Sequence, residues 1–424
     1  MSGLVIIGAF LALVAFGMPI AFALIIPAIF YMFWFGYPLP TITHTLTNSL
    51  DSFPLLAVPL FVLVGNLMGA SGIARRLFHF AHLCVGHWKG GLAQVNILAS
   101  LIFSGSSGSA LADIGGMGAV EIKAMKDAGY KNSFAAALTA AAATTGPIFP
   151  PSIPFVIYAA TAETSAVKLL LAGIVPGILI TIGLMGFTAF LARRRNYPTE
   201  PKASRSDLWD AFVSALPALL TPVVLVLGML GGFFTATEAA AVTVLYIILI
   251  SIFIYRDFEW KFLVSASWDT VRTSVILMIM VAAAVLFTRM LSLEQVPQMI
   301  TAAMLQLSSD PLVLLLIANI VVLVIGLFLE TTSAILILTP LIAPPLVAAG
   351  VDPTHLGVVV VYNLMIGLIT PPMGMSLFMV STVAREPLMN VLREILPYYI
   401  PLLIILAILT YVPAISTWLP NLLV

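Results

Sequence analysis

Two clusters of hydroxyls, glycines and prolines hold the chemistry available to this apolar chain, and their internal spacing is the same. The first is Ser104, Gly105, Ser106, Ser107, Gly108 and Ser109, followed by Thr144-Thr145-Gly146-Pro147-Ile148-Phe149-Pro150-Pro151. The second is Gly326, Glu330, Thr331, Thr332 and Ser333, followed by Gly367-Leu368-Ile369-Thr370-Pro371-Pro372-Met373. Adding 221 carries Gly105 to Gly326, Gly146 to Gly367, the Pro150-Pro151 pair to Pro371-Pro372, and Pro176 to Pro397, with no gap. The matched residues break helices, so the copies share a pattern of interruption that common composition would not produce. A proline removes a backbone donor and displaces the carbonyl four residues earlier, freeing carbonyl oxygens within an apolar segment. Such oxygens suit a small hard cation such as sodium, and the positive N-terminal ends of half-helices suit an anion.

Those clusters need a membrane to sit in. The 424 residues are 61% hydrophobic and 8% charged, with a mean hydropathy of +1.13, far beyond the roughly 45–50% apolar content of soluble domains. The composition and segment lengths predict an all-α polytopic membrane protein. Apolar spans fall near 4–34, 54–70, 133–160, 164–192, 209–230, 232–254, 268–288, 354–382 and 397–415, long enough to cross a ~30 Å hydrocarbon core. Residues 92–125 and 311–348 carry polar middles and read as re-entrant hairpins, because irregular backbone at membrane depth must be buried in protein or face water. The chain divides into N-terminal spans (1–90), a first repeat (91–192), a linker with central spans (193–290) and a second repeat (291–424).

Charge orients these spans. With the segment 193–205 in the cytoplasm, sixteen of the eighteen Lys and Arg residues fall on that side, and only Lys168 and Arg289 lie outside, in agreement with the positive-inside rule. The N-terminus is then expected to be cytoplasmic and the C-terminus periplasmic. Five crossings separate Gly105 from Gly326, so the repeats are expected to be inverted, with hairpin tips meeting near the midplane as in secondary transporters. The first apolar run lacks a basic leader and reads as a retained span. Zero net charge gives no hint of nucleic acid, and the lone Cys84 excludes a disulfide framework or a CxxC metal pair.

Other polar residues have plainer readings. Asp113 and Glu330 are ionisable at membrane depth, which makes them candidates for function; each also follows a hairpin tip, where a carboxylate stabilises a helix N-terminus. Thr235 and Glu238 have capping-box spacing. His79, His82 and His87 flank basic interfacial sequence. An intramembrane serine hydrolase would need a base, and the five histidines are expected outside the spans. A channel remains as an alternative, but would not need two oppositely facing gates.

Residues 104–113 (SGSSGSALAD), 144–158 (TTGPIFPPSIPFVIY), 231–241 (GGFFTATEAAA) and 367–376 (GLITPPMGMS) resemble the large membrane subunit of tripartite ATP-independent periplasmic (TRAP) transporters. The resemblance covers nearly the whole chain. It implies sodium-driven import of a carboxylate, a sugar acid such as sialic acid or a C4-dicarboxylate, by an elevator mechanism without nucleotide. It also implies a small four-helix membrane subunit and a periplasmic substrate-binding protein. This chain begins at the large subunit, so the small one is expected to be a separate polypeptide. A stand-alone sodium/anion symporter is the other transport reading.

Two repeat-related sodium sites are expected. The first would use Ser104 or Ser107 with carbonyls of Gly146, Phe149 and Pro151; the second, carbonyls of Gly326, Gly367 and Met373 with the Thr370 hydroxyl. Neither includes a bare carboxylate, so a bound ion keeps its charge and draws the substrate toward Ser106, Ser109, Asp113, Thr145 and Pro150. Thr235, Glu238 and Glu330 are assigned structural roles. The hairpins and broken helices are expected to move against a scaffold of spans near 54–70, 209–230 and 232–254 that also meets membrane lipid.

Overall fold

The computed structural model describes residues 2–51, 53–70, 72–308, 310–372 and 374–424, and every regular element among them is helical. The chain opens with α1 (Ser2–Ala15) and α2 (Ile20–Trp34), then α3 (Leu39–Asn48), α4 (Ala57–Ala70) and α5 (Ile73–Val85). α5 is amphipathic: Ile73, Leu77, Ala81 and Val85 recur every four residues and are buried, while Arg75 and His79 are exposed. The first hairpin enters through α6 (Leu92–Ser107) and returns through α7 (Ala110–Asp113), a π-helical turn (Ile114–Gly118) and α8 (Ala119–Asp127). α9 (Asn132–Ala142) and α10 (Ile153–Thr161) are the halves of a broken helix, followed by α11 (Ala166–Ala172) and α12 (Ile174–Arg195). Next come α13 (Arg205–Leu230), α14 (Ala236–Leu249), the 34-residue α15 (Trp260–Leu293) and α16 (Val296–Leu307). The second hairpin is α17 (Pro311–Gly326) and α18 (Thr331–Ala348); the second broken helix is α19 (Pro353–Leu368) and α20 (Met375–Ala384). α21 (Leu388–Ile395), α22 (Tyr399–Tyr411) and α23 (Ala414–Leu423) complete the chain.

The 221-residue offset reappears in the element boundaries. It carries the end of α8, Asp127, to the end of α18, Ala348, and the start of α9, Asn132, to the start of α19, Pro353. The peptide bonds Pro150-Pro151 and Pro371-Pro372 are both cis.

Among the described residues, six helical stretches are long and apolar enough to cross a membrane: 166–195, 205–230, 236–255, 260–293, 331–348 and 388–411, with the bent pair α4–α5 a seventh. Position in the bundle follows from side-chain size. Only 28% of the apolar window of α13 is buried, against 78% for α18. α13 turns a stripe of Ala211, Ala215, Ala218, Thr221, Leu225 and Met229 inward and leaves Trp209, Val213 and Leu227 to lipid. Alanine-rich α9 and valine-rich α19 are buried on all sides at the centre, where small side chains let helices approach closely.

The first apolar segment departs from expectation. Tyr31 donates to Glu294 (2.6 Å), while Ile20 and Phe22 face the same cavity as Ile276 and Met280, so α2 runs alongside α15 in the same direction. Yet Phe10 packs on Phe287, ring centroids 5.5 Å apart, back toward the Tyr31 end. The chain therefore reverses between α1 and α2, at Gly17, whose φ of +81° is open to a residue without Cβ. Helices of 14 and 15 residues are roughly 21–23 Å long, short of the ~30 Å core. Residues 4–34 are thus a helical pair and not one crossing, and the first residues share a side with Trp34. This overturns the expectation that the two ends of the segment lie on opposite faces, and with it the step that made the N-terminus cytoplasmic.

A second correction concerns His355, which lies buried in the first turn of α19 and so within a span. Its Nδ1 is 2.8 Å from Ser416 Oγ and its Nε2 3.3 Å from the Thr410 carbonyl. Both ring nitrogens are engaged in holding α22 and α23, and the helix break at Thr370 is fifteen residues away, roughly 22 Å.

Candidate ion and substrate site

The first hairpin tip is shaped by two residues. Gly108, at φ +58°, ends α6, and Ser109 caps α7 by accepting from the Ala112 amide at 3.4 Å. The break between α9 and α10 is shaped by Ser152, which caps α10 through the Phe155 amide (3.1 Å) and donates to the Pro147 carbonyl. Tip and break nest together. A Cβ built on Gly146 would lie 3.6 Å from Ser104 Cβ and from the Ser109 carbonyl carbon, and one on Gly108 would lie 2.6 Å from the Pro151 carbonyl oxygen. Gly105 packs against Phe149 and, from α13, Pro222.

The second repeat does the same with glycine on both sides: a Cβ on Gly367 would come within 2.7–2.9 Å of three backbone atoms of Gly326. Repeat-equivalent pairs, Gly105 and Gly146 with their neighbours and Gly326 with Gly367, thus bring each hairpin tip to its own helix break. Thr370 Oγ1 donates to Ile366 O (2.6 Å), and Tyr399 donates to the Ile369 carbonyl (2.6 Å). Ser104 likewise donates to Leu101 O (2.7 Å), whereas the buried Thr145 hydroxyl has no partner. The side chains of Ser106 and Ser107, and Met373 as a whole, lie outside the described residues.

Both tips and both breaks face one cavity of about 1050 Å³. Ser109 and Ala110 line it from the first hairpin, Pro147 and Pro154 from the first break, Glu330 and Ser333 from the second hairpin, and Leu368 and Met375 from the second break. The opposite wall is Phe22 of α2, Asn66 of α4, and Thr273 and Met280 of α15. None of the described lining residues is a Lys, Arg or His. What points into it is the N-terminal end of half-helices: α7, α10, α18 and α20 all start there. At α18 that end is occupied, since Glu330 accepts from the Thr332 and Ser333 amides at 2.9 and 3.3 Å.

Several named residues lie elsewhere. Asp113 does not line the cavity; it is 2% exposed and turned toward Ser100 of α6. Thr145 and Pro150 are also absent from the lining. Thr235 and Glu238 form a reciprocal capping box at the start of α14, with Glu238 Oε2 2.8 Å from the Thr235 amide. Sequence reasoning passed over Asn66, Thr273 and Tyr399. Asn66 alone offered a signal, as an amide within an apolar span; it donates to Thr270 at 3.0 Å.

A family model described as tripartite ATP-independent periplasmic transporter, DctM component, matches residues 7–415. The chain is 43% identical over 413 residues to the sialic acid TRAP transporter large permease protein SiaM of Vibrio cholerae, covering 97% of each chain. It is 41% identical over 376 residues to the C4-dicarboxylate TRAP transporter large permease protein DctM of Pseudomonas aeruginosa, covering 89% of this chain and 88% of that one. Among solved structures it is similar in fold to the YdaH transporter of Alcanivorax borkumensis, with a TM-score of 0.65 at 17% identity over 90% and 88% of the two chains. A multi-pass helical protein with this match over nearly its full length belongs to the TRAP transporter family, as a DctM component.

Proposed function

We propose that this protein imports a carboxylate across the bacterial inner membrane, coupled to sodium, with the hairpins and broken helices moving against α2, α4 and α13–α15. The single observation that carries the reading is the shared cavity: both tips and both breaks face it, and α2, α4 and α15 wall it on the other side. Sodium would sit where each tip meets its break, at Ser104–Gly146 and at Gly326–Gly367–Thr370. With no basic side chain on the described wall, an anion would be held by the bound ions and the N-terminal ends of α7, α10 and α20. Ion and anion then bind cooperatively, each raising the affinity of the other by the same factor.

The relatives named for sialic acid and for C4-dicarboxylates support a carboxylate substrate. A small membrane subunit would cover the lipid-facing α13–α14 side, and a periplasmic binding protein would dock at α3, the turn before α14 and the C-terminal α23. The inverted relation of the repeats and a periplasmic C-terminus follow from the charge distribution. Reconstitution tests this reading: uptake of labelled sialic acid or succinate into proteoliposomes, with the partner proteins, is expected only under an inward sodium gradient. Equal uptake driven by a proton gradient without sodium would refute it.

A further inference from the structure

The returning arm of hairpin 1 buries two carboxyl groups that the proposed transport site does not use. Asp113 is 2% exposed and Glu121 1%, and both Asp113 oxygens and Glu121 Oε1 lack a hydrogen-bond partner. The elements packed most closely against this arm are α4, α6, α9, the Ala143–Thr145 turn and α20, and none of their sequences contains Lys, Arg, His, Asp or Glu. The arm's own Lys123 and Lys126 are exposed. No cation on the described elements packed against the arm therefore faces either carboxyl, and an ionised carboxylate buried without one is unsustainable at membrane depth. The missing positive charge has to come from solution.

Two oxygen acceptors complete the cluster. Ser100 of α6 faces Asp113, and its Oγ has no hydrogen bond of acceptable geometry. One turn earlier on the same face, Asn96 donates its amide nitrogen to Thr139 Oγ1 (2.7 Å), which leaves the buried Oδ1 pointing away and unpartnered. The same amide nitrogen of Asn96 lies 3.9 Å from Met125 Sδ, one turn beyond Glu121, which sets Asn96 beside α8. Two acids are thus matched by two acceptors.

We propose that Asp113 and Glu121 are proton-binding sites, each carboxylate taking one proton from water, with the Asp113 O–H donating to Ser100 Oγ and the Glu121 O–H to Asn96 Oδ1. Hairpin 1 then sits in the membrane with neutral acids, independently of the sodium sites at its tip. Infrared difference spectroscopy of the full chain in lipid bilayers tests this at neutral pH without requiring transport, so it stands apart from the test of the transport reading. Two protonated-carboxyl bands are expected, one removed by Asp113→Asn and the other by Glu121→Gln, and both unchanged when choline replaces sodium. Bands that vanish on adding sodium would assign the site to the metal ion and overturn the proposal, as would the absence of any band removed by either variant. Where those variants do not fold, Ser100→Ala and Asn96→Ala keep both acids and remove only the acceptors. Each is expected to shift its partner's band; unshifted bands overturn the pairing.

Discussion

Gly326 and Gly367 meet backbone to backbone, so closely that a methyl group on Gly367 would lie 2.7 Å from the Gly326 carbonyl carbon and 2.8 Å from its oxygen. Backbone atoms of two packed helices cannot swing aside as a side-chain tip can. Gly367→Ala is expected to lower thermal stability by about 1–3 kcal/mol, the usual cost of overpacking, and to abolish uptake by parting hairpin 2 from α19. Gly186, with nothing within 4 Å of its Cβ position, is the control. Gly186→Ala should be neutral or slightly stabilising in the same melts.

Thr370 presents its hydroxyl at the second break with the proton already given to Ile366 O. Losing that oxygen as a sodium ligand should cost about 1–3 kcal/mol, so Thr370→Ala is expected to raise the sodium concentration for half-maximal uptake about 5- to 150-fold. Thr370→Ser should restore it, and Thr41→Ala, in α3, should leave it unchanged. An unaltered sodium dependence in Thr370→Ala would remove this residue from the site.

The reversal at Gly17 is open to direct measurement. In a Cys84→Ser background, cysteines at positions 10 and 287 should be joined by a short bifunctional thiol reagent, read by peptide mass spectrometry. Cysteines at 10 and 268 should not, because a straight continuation of α2 would be needed to bring Phe10 down to Trp268. Linkage of the second pair in place of the first would restore a single crossing.

Relative movement across the cavity predicts a reversible block. Met280 and Ser333 line opposite walls, so cysteines there, bridged by a cleavable reagent, should stop uptake, and cleaving the bridge should restore it. Full uptake with the bridge in place would mean that α15 and hairpin 2 move as one body.

The two breaks and the membrane class were legible because proline and glycine act on the backbone wherever they stand and apolar composition needs no fold to be read. Pro150-Pro151 and Pro371-Pro372 interrupt a helix through the missing donor and the displaced carbonyl, whatever surrounds them. Thr235 and Glu238 are legible for the same reason: a capping box closes over four consecutive residues. The first apolar segment, 4–34, reads as one span from composition, whereas the positive φ of Gly17 turns the chain back on itself.

Where a side chain ends up in three dimensions was a different matter. Asp113 and Ser109 are four residues apart, about one helical turn, and sequence assigned both to the substrate; the fold sends Ser109 to the cavity and Asp113 to Ser100. Thr273 and Met280, more than forty residues from either hairpin tip in the order of the chain, became part of the wall only when α15 packed across the break. Backbone interruptions are written locally, because they depend on one residue's φ and its missing hydrogen bond. Which face of a helix looks into a cavity depends on every helix packed around it, and in an apolar chain neighbouring faces carry nearly the same residues, so only the packed structure separates them.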